Sequence, residues 1–312
     1  MTITQLRYAL AVAEYKNFTK AAQHVFVTQP TLSMQIHKLE EELGVEIFNR
    51  NKKPIALTQV GQKIIEQARN IVNESHRIQD IVEQQKGYIG GEFKLAIIPT
   101  VMPTLLPMFL KNFINRYTEV NLKIIELNTA DLLKKLKSGQ IDAAIAATPL
   151  ETENIIERPL YYEPFVGYIP SDHKLSSKSH LSPEDLDVDD ILLLEDGHCF
   201  KDNILNICKN RNTKLDTPYL IESGSFETMI KLSEEGLGMT LLPYLNTLEL
   251  SEKQQQNLKF FKNPKPAREI SLLYHKSELK LQIIKVLHET ISAVIKGAIA
   301  FQDVEIISPK PK

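Results

Sequence analysis

The stretch FTKAAQHVFVTQPTLSMQIHKLEEEL, residues 18–43, decides the fold of the N-terminal region. Apolar residues recur at helical spacing on both sides of a short turn at 27–30. Proline is favourable at the first position of a helix, so Pro30 is predicted to open a helix that runs to about Leu43. The preceding helix is predicted over 18–26. Two amphipathic helices joined in this way have the dimensions of a helix-turn-helix.

Residues around these helices complete the predicted N-terminal unit. Thr19 is a candidate cap of the helix over 18–26, and Thr28 or Gln29 precedes the helix that Pro30 opens. An earlier amphipathic helix is predicted over 3–15. Residues 48–58 are predicted to form a hairpin with a basic tip.

A single helix is predicted from 58 to 86, about 45 Å long. Several of its residues recur alternately three and four positions apart, which is the spacing of a coiled-coil seam and favours dimerisation. A buried helix in a larger core is the alternative. The seam residues are Gly61, Ile64, Ala68, Ile71, Ser75, Ile78 and Val82.

A glycine-rich hinge at 87–91 separates this helix from an alternation of strand and helix patterns. The alternation predicts a mostly parallel sheet covered by helices, in two lobes with a ligand cleft between them. In the first lobe we predict strands at 93–99, 122–127 and 141–146, with helices at 104–117 and 130–137. A second series starts near 165 and includes strands at 191–194, 219–221 and 239–242 and a helix at 226–235. A late strand at 268–274 and a helix at 279–299 follow it. The tail after 302 shows no strong pattern.

Composition sets broad limits on the class of protein. The chain has 312 residues, 37 Lys+Arg, 39 Asp+Glu and 43% hydrophobic residues, which is ordinary for a globular protein of two or three domains. Residues 1–90 carry a net charge of +2 and the remainder −4. No apolar run is long enough for a membrane span, and no export signal is apparent. Two cysteines cannot form a disulfide framework, so we expect a reducing cytoplasm.

A helix-turn-helix reads DNA with the exposed face of its second helix in the major groove. Hydroxyl and amide groups there can contact base edges, while lysine and arginine suit phosphates. A basic hairpin tip of this kind, taken alone, is more often a solvated loop than a phosphate-binding site. The expected DNA contacts are Thr28, Gln29, Pro30, Thr31, Ser33, Gln35, Lys38, Arg50, Lys52 and Lys53.

The two cysteines are the second candidate site. Cys199 stands at the start of a predicted helix, where the helix dipole favours a thiolate. His198 and Lys201 could assist, while Asp202 opposes unless it caps the helix or pairs elsewhere. Cys208 is expected to be partly buried and less activated. The alternative is that both are small buried hydrophobic residues.

The spacing of the cysteines limits what they can do together. Nine residues along one helix correspond to about 13.5 Å and place the side chains on opposite faces. A disulfide requires Cα atoms within roughly 7 Å, so oxidation to a disulfide would have to unwind the helix.

Residues 1–86 resemble the winged helix-turn-helix and linker helix of the LysR-type transcriptional regulators, and the similarity continues through most of the chain. The motifs are Phe18-Thr19-Lys20-Ala21-Ala22, Thr28-Gln29-Pro30-Thr31-Leu32-Ser33, Leu39-Glu40-Glu41-Glu42-Leu43-Gly44, Phe48-Asn49-Arg50, Leu57-Thr58, Ser138-Gly139-Gln140-Ile141-Asp142 and Gly236-Leu237-Gly238-Met239-Thr240-Leu241-Leu242-Pro243. The resemblance implies an α/β protein: a winged domain, a long linker helix and a two-lobed α/β effector domain of the periplasmic-binding-protein type. It also implies a homotetramer that binds a promoter.

The corresponding domain boundaries follow from this resemblance. The winged domain takes residues 1–58, the linker and hinge 59–90, the regulatory domain 91–302 and the tail 303–312. Within the regulatory domain, lobe I is expected at about 91–160 and 269–302, and lobe II at 161–268.

The segment Gly197-His198-Cys199, followed by Cys208, resembles peroxide-sensing members of the same family. That resemblance implies that peroxide oxidises Cys199 to a sulfenic acid and that Cys208 resolves it to a disulfide. The implied peroxide pocket comprises Thr100, Thr129, His198, Lys201, Asp202 and Arg268. Lys201 departs from the arginine expected there, which places bidentate contacts in doubt. Read alone, the two threonines are helix caps or turn residues, and His198 is a surface ring.

The predicted function is therefore a cytoplasmic, peroxide-sensing transcription regulator that is not an enzyme. Its expected partners are double-stranded promoter DNA, hydrogen peroxide and further copies of itself, with RNA polymerase as another candidate. No metal, organic cofactor or membrane is expected. One alternative is a regulator that binds a small metabolite between the lobes and has inert cysteines. A thiol peroxidase and an exported solute-binding protein are rivals from other classes, but neither needs residues 1–86.

Overall fold

The computed structural model describes residues 1–85, 89–194, 199–208, 225–299 and 303–309. They divide into two compact units. The first is the N-terminal region together with Ser138–Gln140, and the second holds the remainder of the chain.

The first unit contains the predicted helix-turn-helix and hairpin. The two short strands pair antiparallel, Phe48 with Leu57 and Asn49 with Ala56. The elements are α1 (Ile3–Tyr15), α2 (Phe18–His24), α3 (Gln29–Leu43), β1 (Phe48–Asn49), β2 (Ala56–Leu57) and α4 (Gln59–Gln85).

The helix caps correct the prediction in detail. Asn17, not Thr19, caps α2, because its side chain accepts a hydrogen bond from the backbone N–H of Lys20 at 3.0 Å. Thr28 caps α3, and Pro30 therefore occupies the second helical position rather than the first. Gly44 ends α3 in the left-handed conformation, with φ of 67°, which glycine adopts without steric cost.

Helix α4 confirms the predicted long helix, but the first part of its seam packs inside the unit. A Cβ atom on Gly61 would lie 2.1 Å from the carbonyl oxygen of Ile47, so this glycine permits close packing. Ala68 is buried in the same core as α1 and α3. Ile71 and Ile78 are exposed and remain available for a partner helix. The seam prediction is therefore wrong for Gly61 and Ala68.

The second unit begins with the predicted βαβαβ alternation. Strand β3 pairs in parallel with both β4 and β5, which confirms a parallel sheet in this part of the chain. The elements are β3 (Gly91–Ile97), α5 (Met102–Arg116), β4 (Val120–Glu126), α6 (Thr129–Lys137) and β5 (Ala143–Thr148).

Two long antiparallel strands, β6 and β9, extend the sheet from the first lobe into the second. The sheet order is β4-β3-β5-β9-β6-β7, with β8 paired to β6 and β10 paired to β9. The further elements are β6 (Ile155–Tyr168), α7 (Cys199–Ile207), α8 (Phe226–Glu234), β7 (Thr240–Pro243), α9 (Tyr244–Thr247), α10 (Glu252–Gln255), β8 (Leu258–Phe260), β9 (Lys265–His275), α11 (Leu281–Ile295) and β10 (Val304–Ile306).

One prediction for the second lobe is wrong. Residues 191–194 form no regular strand, and Ile191 makes an isolated parallel bridge to Met239. The tail contributes β10, which lies parallel to residues 265–267 of β9. The strand predicted at 219–221 lies outside the described residues.

Each lobe has its own apolar core. One is built around β3, β5, α5 and α11, and the other contains Phe200, Ile204 and Cys208. Among the described residues, no helix is both long and apolar enough to cross a bilayer.

Candidate functional site

The exposed end of α3 holds most of the predicted base-contacting residues. Thr28, Gln29, Pro30, Thr31 and Lys38 are exposed, as a groove-reading surface requires. The opposite face of the helix is buried against α1 and α2 and fixes its orientation.

Two predicted contacts on α3 are less available to DNA than expected. Ser33 and Gln35 are half-buried. The side-chain oxygen of Gln35 accepts a hydrogen bond from the amide of Gln5 at 3.3 Å, and Gln5 is itself buried. Gln35 therefore also joins α3 to α1.

The hairpin of β1 and β2, residues 48–57, is called here the wing. Glu40 anchors it to α3, a role that the sequence did not reveal. The Glu40 carboxylate is buried and accepts hydrogen bonds from the backbone N–H groups of Ile47 and Phe48 at 2.8 and 3.1 Å. Its other oxygen accepts from the Arg50 guanidinium at 2.7 Å. The Arg50 guanidinium also lies 5.5 Å from the centre of the Phe18 ring. Arg50 therefore holds the wing in place, whatever it contributes to DNA contact.

Lys52 and Lys53 form the tip of the wing. Both are exposed, and neither makes an ion pair with another described residue. Their charges are consequently available to phosphate groups.

In the second unit, Thr100 and Thr129 lie at one edge of the parallel sheet. Ile97 of β3 is paired with Glu126 of β4, and each threonine follows its strand by three residues. Because the carboxyl ends of parallel strands share an edge, the two residues belong to the same end of the sheet. Both threonines are buried.

Arg268 links Thr100 to the second lobe. Its Nη1 donates to Thr100 Oγ1 at 3.0 Å, and its Nη2 donates to the Thr100 carbonyl oxygen at 3.1 Å. Its Nε and Nη2 donate to Glu163 Oε2 at 2.9 and 2.8 Å. The other Glu163 oxygen accepts from the backbone N–H of Leu245 at 2.9 Å.

The Arg268–Glu163 ion pair is almost fully enclosed, since both side chains are only 1% exposed. Two buried charges of opposite sign are tolerable because they are paired and hydrogen-bonded. Glu163 neutralises much of the field of Arg268, so the clearest role of this arginine is to orient Thr100. The guanidinium also lies 5.4 Å from the ring centre of Phe200, the residue after Cys199.

Helix α7 carries the two cysteines at its ends. Cys199 is its first residue, and the backbone N–H of Cys208 donates to the carbonyl of Ile204 at 3.1 Å, which continues the helical pattern. This confirms that one helix joins them. About 13.5 Å of rise therefore separates their backbones, well beyond the reach of a disulfide.

The environment of Cys208 disfavours reaction in this arrangement. Its side chain is 2% exposed and packs in the core of the second lobe. Burial, together with a smaller effect of the nearby Asp187 carboxylate, raises the pKa of the Cys208 thiol to about 11. Only about one molecule in ten thousand would carry a Cys208 thiolate at pH 7.

Of the remaining predicted pocket residues, two lie on α7 and one lies outside the described residues. Lys201 and Asp202 are half-buried in the first turn of α7. His198 and the side chain of Cys199 lie outside the described residues. Of the predicted set, the structure directly joins Thr100 and Arg268. Sequence reasoning missed Glu163 and Phe200, which lie 105 and 68 positions from Arg268.

Comparison with known protein families identifies the family to which the chain belongs. Residues 3–62 match the family "Bacterial regulatory helix-turn-helix protein, lysR family", and residues 86–295 match "LysR substrate binding domain". The protein belongs to the LysR family of DNA-binding transcriptional regulators.

Its similar relatives include peroxide-responsive regulators. The chain is 33% identical over 299 residues to the "DNA-binding transcriptional dual regulator OxyR" of Escherichia coli K12, covering 95% of this chain and 97% of that protein. It is 35% identical over 276 residues to the "Hydrogen peroxide-inducible genes activator" of Dickeya chrysanthemi, covering 88% and 89%.

Solved OxyR structures share the fold. A full-length OxyR variant from Pseudomonas aeruginosa has a TM-score of 0.75 and 32% identity, covering 94% of this chain and 98% of that chain. A peroxide-bound OxyR variant from Corynebacterium glutamicum has a TM-score of 0.63 and 29% identity, covering 98% of each.

Proposed function

We propose that this protein is a cytoplasmic transcription regulator that senses hydrogen peroxide through a disulfide between Cys199 and Cys208. It binds double-stranded promoter DNA as an oligomer assembled through the linker helix, and it activates transcription through contact with RNA polymerase. The observation that carries the proposal is one helix, α7, with a cysteine at each end and the Arg268–Thr100 contact beside its first turn. The similarity to OxyR proteins supports the choice of peroxide.

Cys199 is the better placed of the two to react first. The start of a helix presents free N–H groups and the positive end of the dipole, which favour a thiolate. Thr100 and Thr129 offer hydroxyl groups, which can hydrogen-bond a small oxygen ligand, at one edge of the sheet. Arg268 fixes the orientation of Thr100.

The proposed chemistry consumes one peroxide for each disulfide. The Cys199 thiolate attacks one peroxide oxygen, the O–O bond breaks, and the departing hydroxide takes a proton to become water. The Cys208 sulfur then attacks the sulfenic sulfur, the S–O bond breaks, and a second water leaves. The two thiols lose two electrons and the peroxide gains them.

The second step requires a change in the backbone. Cys208 is buried, protonated at neutral pH and on the opposite face of α7 from Cys199. Partial unwinding of α7 brings the sulfurs together and exposes Cys208. A covalent bond that selects one of two backbone arrangements can act as a switch.

Peroxide treatment followed by mass spectrometry tests this function. One equivalent of peroxide added to the reduced full-length protein should lower the mass of the denatured chain by about 2 Da and remove both alkylatable thiols. Cys199→Ser should abolish the reaction. Cys208→Ser should stop it at a sulfenic acid, with a gain of about 16 Da.

The outcomes separate the rival functions. Two alkylatable thiols remaining after peroxide treatment would refute the sensor and favour metabolite binding between the lobes. Many peroxide molecules consumed per chain, with an added thiol as the only reductant, would indicate a thiol peroxidase instead. Promoter binding by Cys199→Ser should remain measurable, which shows that the variant is folded.

A further inference from the structure

The C-terminal residues 303–309, called here the C-terminal strap, lie across two parts of the second lobe. Residues 304–306 form β10 and pair in parallel with Lys265, Pro266 and Ala267 of β9. The pairing continues at both ends. The Lys265 N–H donates to the Asp303 carbonyl at 3.2 Å, and the Ile307 N–H donates to the Ala267 carbonyl at 2.8 Å.

The strap also holds the cysteine-bearing helix. Asn203 Nδ2 donates to the carbonyl of Ile307 at 2.7 Å, and Asn206 Nδ2 donates to the carbonyl of Ser308 at 2.9 Å. Both asparagines lie on α7 between the cysteines. The side chain of Ile307 packs against the core that contains Cys208, and Pro309 is buried.

These contacts oppose the unwinding that a disulfide requires. Unwinding α7 moves Asn203 and Asn206 away from the strap and breaks both hydrogen bonds. Strand β9 cannot follow, because β5 and β6 fix it on either side in the sheet. The same strand carries Arg268, whose guanidinium lies against Phe200. Helix α7 is thus held at its first turn by Arg268 and further along by the strap.

The contact between α7 and the C-terminal strap leaves one buried polar atom without a partner in the part of the chain that the structure describes, which makes the contact easier to break. Asn203 is fully buried, and its Oδ1 has no hydrogen-bond partner among the described residues. A buried carbonyl without a partner costs free energy that opening of the helix recovers. The contact therefore holds α7 less firmly than a fully satisfied one would.

We propose that the C-terminal strap sets the peroxide threshold of the protein by stabilising α7 in its reduced, helical arrangement. Asn203 and Asn206 act as positioning residues, since they determine how readily α7 opens and take no part in the sulfur chemistry. This inference rests on the proposed disulfide switch.

The test measures the disulfide equilibrium of the full-length protein in mixtures of reduced and oxidised dithiothreitol. The dithiol gives two electrons and two protons to the protein disulfide and becomes a cyclic disulfide. Deletion of 303–312 should favour the protein disulfide at least about tenfold, because two hydrogen bonds and the Ile307 contact are lost. Tenfold corresponds to about 30 mV for a two-electron couple. Deletion of 310–312 alone keeps the strap and should leave the equilibrium unchanged.

A point variant tests the same contact if the deletion variant fails to fold. Asn206→Ala removes the hydrogen bond to the Ser308 carbonyl from a half-buried side chain and should shift the equilibrium about two- to tenfold in the same direction. Amide hydrogen exchange of 203–208 in the reduced protein should accelerate by a similar factor in both variants.

Each outcome decides a different claim. Unchanged equilibria and unchanged exchange in both strap variants would overturn the inference while leaving the sensor intact. If the wild-type protein never forms the disulfide, the sensor proposal fails and the strap cannot set a threshold. The exchange measurement then still reports whether the strap holds α7.

Discussion

Helices α3 and α7 carry the two proposed functional sites, and they are stabilised in different ways. Helix α3 has local caps, with Thr28 at its start and Gly44 at its end, and it packs its apolar face against the neighbouring helices α1 and α2. Helix α7 depends on distant residues. Arg268 lies against Phe200, and Asn203 and Asn206 bond to Ile307 and Ser308, more than 60 positions away in each case.

The difference fits the functions proposed for the two helices. A helix that reads DNA has to keep one shape, and local caps with a continuous apolar face maintain it. A helix that responds to oxidation needs a second arrangement within a few kcal/mol of the first. Long-range contacts suit that need because they can be released together.

The largest effect on stability is expected from breaking the Arg268–Glu163 ion pair, which lies beside α7. Arg268→Met leaves the Glu163 charge buried without its cation and should lower the free energy of unfolding by about 3–5 kcal/mol. Thermal unfolding at fixed protein concentration measures the loss. Arg116→Met, at an exposed arginine, should cost less than about 1 kcal/mol. Equal losses would show that the buried pair is not what distinguishes the two positions.

Alkaline pH should act next most strongly, again on α7. The folded pKa of Cys208 is about 11, against an ordinary value near 9, so the thiol favours the folded state below pH 9. That contribution, roughly 2–3 kcal/mol, should be lost as the pH rises from about 9 to 11. Thermal midpoints of the wild type and of Cys208→Ala across this range should converge. A difference that stays constant with pH would argue against a buried, protonated Cys208.

The local stabilisation of α3 can be tested at its cap. Thr28→Ala removes the side-chain acceptor for the Thr31 N–H and should cost about 1 kcal/mol. Thr28→Ser retains the hydroxyl and should cost much less. The free energy of unfolding of both variants gives the comparison. Equal destabilisation by the two substitutions would show that the Thr28 hydroxyl does not stabilise α3 as its cap.

The smallest effect on stability is expected at the wing. Lys52→Ala should leave the thermal midpoint unchanged but weaken DNA binding similarly across sequences, and lower the salt slope by about 0.9. Binding titrations at several salt concentrations measure the slope. Lys111→Ala, in the second unit, provides the matched control. An unchanged slope for Lys52→Ala would exclude that lysine from the phosphate contacts.

The contrast between local and long-range contacts also explains which features could be predicted from the sequence. Helix α1, the turn before α3, the hairpin and the βαβαβ order were predictable because periodicity and turn residues are local signals. The Glu40 anchor, the Glu163 partner of Arg268 and strand β10 were not. Each depends on residues brought together by the fold, and β10 is a short strand that needs β9 to form its hydrogen bonds.

We expect oxidation to unwind α7 and to leave α3 intact. Amide hydrogen exchange of the full-length protein, before and after one equivalent of peroxide, tests it in a single sample. Amides in 203–208 should lose protection on oxidation, while those in 32–43 should keep it. Protection of α7 that persists in protein carrying a Cys199–Cys208 disulfide would contradict the claim.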